Sequence, residues 1–161
     1  MRGKEIAATV RLAGHRDAAS LTRLINRAYE VEQFFVEGER TSQEEVAAMQ
    51  ECGRFFVLDC EGGHAAAVYV RTDGEQAQLQ MLSVSPEHQG QGLGTRLVAV
   101  AEAFCRALGC RAMGLQIVNL RDELGTWYRR LGYQETQAVP YVDRQLKRPC
   151  HFIQMSKALA S

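Results

Sequence analysis

Residues Val84–Gly94, V-S-P-E-H-Q-G-Q-G-L-G, carry three glycines at alternate positions, Gly90, Gly92 and Gly94. Glycine accepts dihedrals closed to other residues, so successive N–H groups in such a loop can converge on one point. The pattern predicts a strand over Gln76–Val84 and a helix directly after the loop. On that helix Leu93, Leu97, Val98, Ala101, Phe104, Cys105 and Leu108 recur at three- and four-residue spacings and share one face. A helix N-terminus adds unpartnered donors and a partial positive charge. Together these make a seat for phosphate. A plain strand-to-helix turn would use glycines in the same way. A dinucleotide fingerprint fits less well, because it needs Gly-x-Gly-x-x-Gly and an acid ending the next strand. Here the third glycine falls one residue early, and the next predicted strand, Arg111–Asn119, holds no acid.

Other reactive side chains are scattered. The five cysteines (Cys52, Cys60, Cys105, Cys110, Cys150) form no Cys-x-x-Cys pair, and the four histidines show no His-x-x-x-His spacing. No metal is expected. Cys105 continues an apolar helix face, where a small filler is its usual role. Lys+Arg and Asp+Glu both number 19, so the basic excess of a nucleic-acid footprint is missing. The longest apolar run, Ala65–Val70, is six residues, against the roughly 20 that a membrane span needs. The opening M-R-G-K-E-I shows no signal-peptide core, so a cytoplasmic location is expected. With 161 residues, 46% hydrophobic and 24% charged, the chain reads as one soluble domain over residues 1–161.

The elements that must position the loop follow from periodicity and punctuation. Thr9–Ala13 alternates as a short strand. Asp17 is placed to cap a helix with Leu21, Leu24, Ile25, Ala28, Val31 and Phe35 on one face. Ser42 and Glu45 make a capping-box pattern for a short helix to about Gln50. Arg54–Cys60 and Ala65–Arg71 read as strands joined at Glu61-Gly62-Gly63, and Thr72-Asp73-Gly74 turns into Gln76–Val84. Three strands on short turns imply an antiparallel meander. Gly109 ends the helix after the glycine loop, and Arg111–Asn119 should then run parallel to Gln76–Val84. A helix from about Arg121 carries Leu124, Trp127, Tyr128 and Leu131 and stops at Gly132. Tyr133–Ala138 and Cys150–Met155 read as strands, with a loop over Val139–Pro149 between them.

The string Val84-x-Pro86 followed by Gln89-x-x-Gly92-x-Gly94 closely resembles the acetyl-CoA pyrophosphate loop of the GNAT superfamily of N-acetyltransferases. Leu124-x-x-Trp127-Tyr128-x-x-x-Gly132-Tyr133 resembles that family's second signature, and the order of elements matches its fold over nearly the whole chain. The resemblance implies an α/β fold, a mixed and mostly antiparallel sheet flanked by helices. It implies acetyl-CoA as cosubstrate, without metal, and transfer of the acetyl group to an amine by direct attack on the thioester. Gln89, Gly90, Gln91, Gly92, Leu93, Gly94 and Thr95 would bind the pyrophosphate. Leu82, Ser83 and Val84 would run beside the pantetheine arm, with an N–H near Leu82 facing the thioester oxygen. Asn119 would reach the coenzyme, and Tyr128 would assist the leaving sulfur. The acceptor would be a small-molecule or peptide amine, with a homodimer admitted and neither nucleic acid nor membrane as partner.

Two departures from the family pattern matter for chemistry. Asn119 precedes Tyr128 by nine residues rather than about seven. Gln78 stands where several members carry a glutamate base. An alkylammonium of pKa about 10.4 is free amine only about once in 2,500 molecules at pH 7, equivalent to roughly 4.6 kcal/mol. Glu75, Glu123 and His151 have no better warrant as base than being ionisable. The same gap leaves room for a catalytically weak acyl-CoA-binding regulatory domain, or for an interaction module whose glycine loop is structural. The basic stretch Arg144–Arg148 reads as a solvated loop or as the border of an anionic acceptor site.

Overall fold

Seven strands form one mixed sheet in the order β1-β2-β3-β4-β5-β7-β6, with helices on both faces. The structure, a computed structural model, describes residues 9–159, so the M-R-G-K-E-I start lies outside it. In chain order the elements are β1 (Val10–Leu12), α1 (Ala18–Ala28), α2 (Gln43–Cys52), β2 (Arg54–Cys60), β3 (Gly63–Asp73), β4 (Gln76–Val84), α3 (Leu93–Ala107), β5 (Ala112–Val118), α4 (Asp122–Arg130), β6 (Gln134–Pro140) and β7 (His151–Ala158). Strand pairs are antiparallel except β4–β5. The expected meander and the expected parallel neighbour are both present. Among the described residues no helix is long and apolar enough to cross a membrane.

The central strands are apolar on both sides because both faces are covered. Phe55 and Val57 of β2 join Leu21 and Ile25 of α1 and Val46 of α2 in one cluster. Phe56 and Leu58, one residue out of step, face Leu97, Val98 and Ala101 of α3 on the other side. Cys105 lies fully buried there, as its place in the helical period requires.

Two local expectations need correcting, and a third needs an addition. The first helix stops at Ala28 rather than running on to Phe35, and Tyr29–Glu32 forms a 3-10 turn. The tighter winding leaves Val31 half exposed while burying Glu32 and Phe35. Asp17 occupies the N-cap position of α1 without capping it. Its carboxylate instead takes the Gly14 N–H at 2.7 Å and both terminal nitrogens of Arg11 at 3.0 Å. The basic stretch keeps its solvated reading, with Lys147 and Arg148 exposed and Arg144 bordering the cleft, but each cation also has a fixed partner. Arg144 donates to the Glu37 and Gly38 carbonyls, Lys147 Nζ to the Gln33 carbonyl at 2.9 Å, and Arg148 stacks over Phe34. With a Val36–Leu146 bridge, these contacts clasp the two loops that roof one end of the sheet.

A polar network pins α1 to the β2–β3 hairpin. His64 Nδ1 lies 2.6 Å from Asp59 Oδ1, and its Nε2 lies 2.8 Å from Ser20 Oγ. The Ser20 hydroxyl donates to the Asp17 carbonyl, so its proton points away from the imidazole and the trio is a tether.

Candidate functional site

The parallel pairing of β4 with β5 lasts only three residues, from Gln76↔Ala112 to Gln78↔Gly114. Beyond it β5 stays paired with β7 as far as Val118, while β4 turns with β3. The two strands therefore splay, and the β4 edge from Leu79 to Val84 has no partner on the β5 side. Gly114 permits the last close approach, since a Cβ there would stand 3.1 Å from the Gln78 side chain.

A bulge on β4 sets what that edge presents. Ala77 and Leu79 face the α3 side, and strict alternation would send Met81 the same way. Instead Met81 adopts φ +56° and packs against the α1–α2 cluster. Leu82 and Val84 then take over the α3 side. The register break opposite Ala67–Tyr69 marks the same point. A positive φ outside glycine costs on the order of 1–3 kcal/mol and gathers at functional sites. Met81 was not among the predicted site residues. Its signal was the adjacent apolar pair Met81-Leu82, which breaks the period of two in Q-A-Q-L-Q-M-L-S-V.

The glycine loop sits at the open end of the splay. Gly90 and Gly92 have φ of +79° and +77°, so both require glycine's freedom. Gly94 serves packing: a Cβ there would meet the Trp127 ring at 3.4 Å and Val84 at 3.8 Å. Arg96 is the first residue of α3 whose N–H finds a backbone acceptor, the Gly92 carbonyl at 3.1 Å. From Gln89 to Thr95 no backbone N–H has a protein partner among the described residues. Free donors grouped at a helix start can hold an anion.

One cleft of about 1260 Å³ joins these features. It is lined by Leu82 and Val84, by Gln89, Gly90, Gly92, Leu93, Gly94 and Thr95, and by Tyr128 from α4. Ser83 and Gln91 lie beside it without lining it, and the Ser83 hydroxyl turns inward to the Met81 carbonyl at 3.0 Å. Asn119 also stays outside the lining. Its Oδ1 accepts the His151 N–H at 2.8 Å and its own N–H meets the His151 carbonyl, so it closes the β5–β7 ladder. Leu120 and Arg121 intervene before α4 begins, which accounts for the long Asn119–Tyr128 spacing.

Tyr128 is 5% exposed and stands edge-on to both Trp127 and Tyr133, at 4.9 and 5.7 Å between ring centres. Its hydroxyl makes no hydrogen bond among the described residues. Burial pushes the phenol well above its usual pKa, so it persists as a neutral donor. Tyr133 is the buried brace behind it: its hydroxyl donates to Glu102 Oε2 at 2.9 Å, and Lys157 holds the other oxygen at 2.8 Å.

A sequence profile of the acetyltransferase (GNAT) domain matches residues 51–135, from the end of α2 into β6. The chain belongs to the GNAT acetyltransferase family. As a GNAT chain it is similar to the amino-acid acetyltransferase of Azotobacter vinelandii, 30% identical over 87 residues. It is also 33% identical over 90 residues to N-acetyltransferase family 8 member 2 of Rattus norvegicus. These matches take in 53% and 52% of this chain but only 19% and 40% of those proteins. Among solved structures, the GNAT fold is shared with the ribosomal-protein-S18-alanine N-acetyltransferase of Escherichia coli. That likeness has a TM-score of 0.83 at 20% identity and covers 96% of this chain and 95% of that one. It is shared too with yncA of Salmonella typhimurium, solved with its cofactor acetyl-CoA, at TM-score 0.77 and 21% identity over 96% and 95% of the two chains.

Two polar atoms on the GNAT cleft went unforeseen. Thr41 Oγ1 and His88 Nδ1 are buried without a hydrogen-bond partner, and both residues line the cleft. Glu123 lines it as well, whereas Glu75 is exposed beside Arg111 and His151 is exposed on β7.

Proposed function

We propose that this protein transfers the acetyl group of acetyl-CoA to an amine by direct attack on the thioester. The observation that carries the reading is the coincidence, in one cleft, of an unpaired β4 edge, six partnerless loop N–H groups (Gln89, Gly90 and Gly92–Thr95) and the free Tyr128 hydroxyl. Acetyl-CoA supplies an activated acyl group on a long polar arm ending in phosphates, and each part meets a matching donor set here. The Gly90–Thr95 amides hold the pyrophosphate. Leu82–Val84 offer main-chain groups to the pantetheine arm, as a neighbouring strand would. An N–H near the Met81 bulge faces the thioester oxygen, where one well-placed donor contributes about 3 kcal/mol.

Tyr128 donates to the departing sulfur. Against a thiol near pKa 8.5, an ordinary phenol near 10 would release its proton uphill by roughly 2 kcal/mol. Burial raises that cost further. The phenol therefore acts by hydrogen bonding, with any transfer late. Gln78 lines the cleft and cannot take a proton, so the ammonium gives one proton to water before the free amine attacks, the N–C bond forming as the C–S bond breaks. The acceptor enters between the α1–α2 segment and the clasped loops, on the far side of the splay from the glycine loop.

The test is release of free thiol from acetyl-CoA on adding primary amines, read against an amine-free control. Amine-dependent thiol with stoichiometric acetamide product supports the reading. Tight acetyl-CoA binding with no amine-dependent thiol would replace it with a coenzyme-binding regulatory domain.

A further inference from the structure

Resting on that acetyl-transfer reading, the acceptor end of the cleft carries information about what is acetylated. Its lining includes five carboxylates, Glu32, Glu39, Glu45, Glu123 and Asp143, against three guanidinium groups, Arg40, Arg121 and Arg144. Two of those cations are committed. Arg144 is spent on the Glu37 and Gly38 carbonyls, and Arg121 is shared between Glu32 at 3.2 Å and Glu123 at 3.0 Å. Arg40 lies 5.3 Å from the centre of the Tyr29 ring and has no acidic partner among the described residues. The remaining balance is negative.

Glu32 stands out within this set. It is 5% exposed, the most buried of these carboxylates, because the 3-10 turn after α1 swings it inward. Arg121 engages only Oε2. Oε1 has no hydrogen-bond partner among the described residues, yet it is not among the fully enclosed orphan atoms, so it opens to the cleft. A buried carboxylate with half its hydrogen-bonding capacity idle is costly unless a ligand completes it. Aromatic rings surround the opening. Tyr29, Tyr141 and Phe152 all line the cleft, and the last two stack at 4.5 Å. Burial raises the Tyr29 and Tyr141 phenols above their usual pKa; Arg40, joined at Tyr141 by Arg144, opposes the shift more than Glu32 adds to it. A partly unpartnered carboxylate in an aromatic-lined cleft is chemistry that suits an alkylammonium.

We propose that the acceptor is an alkylamine bound as its ammonium, with no carboxylate beside the nitrogen, and that Glu32 is the residue that receives it. Tyr29 and Tyr141 flank the charge. Glu32 lies outside both GNAT signatures and beyond the residues matched by the family profile. A free α-amino acid would bring its own carboxylate against Glu32, with only Arg40 to offset it.

The experiment compares three amines of similar shape in the thiol-release assay near neutral pH. Phenethylamine is an ammonium, 4-methoxyaniline is an uncharged arylamine, and phenylalanine is a zwitterion. Wild type should turn over phenethylamine with a kcat/KM at least about 10-fold above phenylalanine, the scale of one unfavourable charge contact. Glu32→Gln should lower kcat/KM for phenethylamine about 100-fold, as for loss of a buried charge partner, and for 4-methoxyaniline by less than about 5-fold. Acetyl-CoA affinity, titrated separately, should stay unchanged in the variant. Equal losses on both amines, a preference of wild type for phenylalanine, or no turnover of phenethylamine by a wild type that binds acetyl-CoA would each overturn the proposal. The wild-type ranking alone decides it if Glu32→Gln does not fold. Failure of wild type to bind acetyl-CoA would instead strike the acetyl-transfer reading, and this proposal with it.

Discussion

In the acetyl-transfer proposal, Tyr128 is the residue on which the chemistry turns. Its hydroxyl hangs in the cleft without a partner, and burial raises its pKa far enough to keep it protonated at any working pH. Tyr128→Phe should therefore lower kcat by about 100-fold while leaving acetyl-CoA affinity unchanged, which calorimetry and thiol release together would read. The sign of the pH effect follows. A phenol whose folded pKa lies above its unfolded value near 10 stays a competent donor below that point. The rate–pH profile should show no alkaline fall attributable to Tyr128 below about pH 9.5, and Tyr128→Phe should leave the shape of the profile intact. The same preference for the neutral phenol contributes stability that is complete below about pH 10 and lost progressively above it. Chemical denaturation across that range would record the loss, and the phenylalanine variant should lose less than wild type, the remainder coming from other buried phenols such as Tyr133, which burial also raises.

At the scale of elements, the site exists because strands part and a loop cannot satisfy its own donors. The clasp between the 33–38 and 141–148 segments closes the acceptor end. Arg144→Ala frees two carbonyls and one wall, so it should raise the acceptor KM about 10-fold without changing acetyl-CoA affinity. It should also speed amide exchange in the 33–38 segment. At the other edge of the sheet, Arg11 and the Gly14 N–H hold Asp17 at a pKa of about 2 against the cost of burial. A depressed carboxylate pKa adds stability that is present above about pH 4 and fades as pH falls toward 2. Asp17→Asn should lose about 1–2 kcal/mol at neutral pH and flatten the acid limb of the stability curve.

These elements also show what the sequence could reveal. The strands and helices around the glycine loop were legible almost to the residue, because period and punctuation agreed at Gly74, Gly109 and Gly132. The glycine loop and Tyr128 were legible as motifs. The ladder bonds of Asn119 were not legible, because a strand-end residue can serve the ladder, the cleft or both, and composition does not distinguish these. Glu32 was hidden by a helix that tightens into a 3-10 turn at Tyr29, which rotates the following side chains out of the 3.6-residue period. The partners of the loop cations were not legible for a related reason: they are carbonyls and one ring more than 100 residues away in sequence.

For the molecule as a whole, ligand occupancy and stability should be linked. The sheet is closed on both faces by helices, but between β4 and β5 it is open, and a coenzyme bridging that gap would tie the two halves together. At 100 times its dissociation constant, acetyl-CoA should stabilise the fold by about 2.7 kcal/mol. For a chain of this size the melting temperature should then rise by roughly 5–10 °C, with a smaller rise for CoA alone. Scanning calorimetry with and without coenzyme would measure it.

The most direct test of the acetyl-transfer account is calorimetric titration of acetyl-CoA into wild type and Gly92→Glu. Gly92 sits at φ +77° at the head of α3, where the substitution brings a strained backbone, added bulk and a carboxylate into the loop with the free N–H groups. Micromolar one-to-one binding to wild type, lost in a variant whose circular dichroism is unchanged, is the predicted result. Wild type that fails to bind acetyl-CoA, or a folded Gly92→Glu that binds it equally well, would contradict the account.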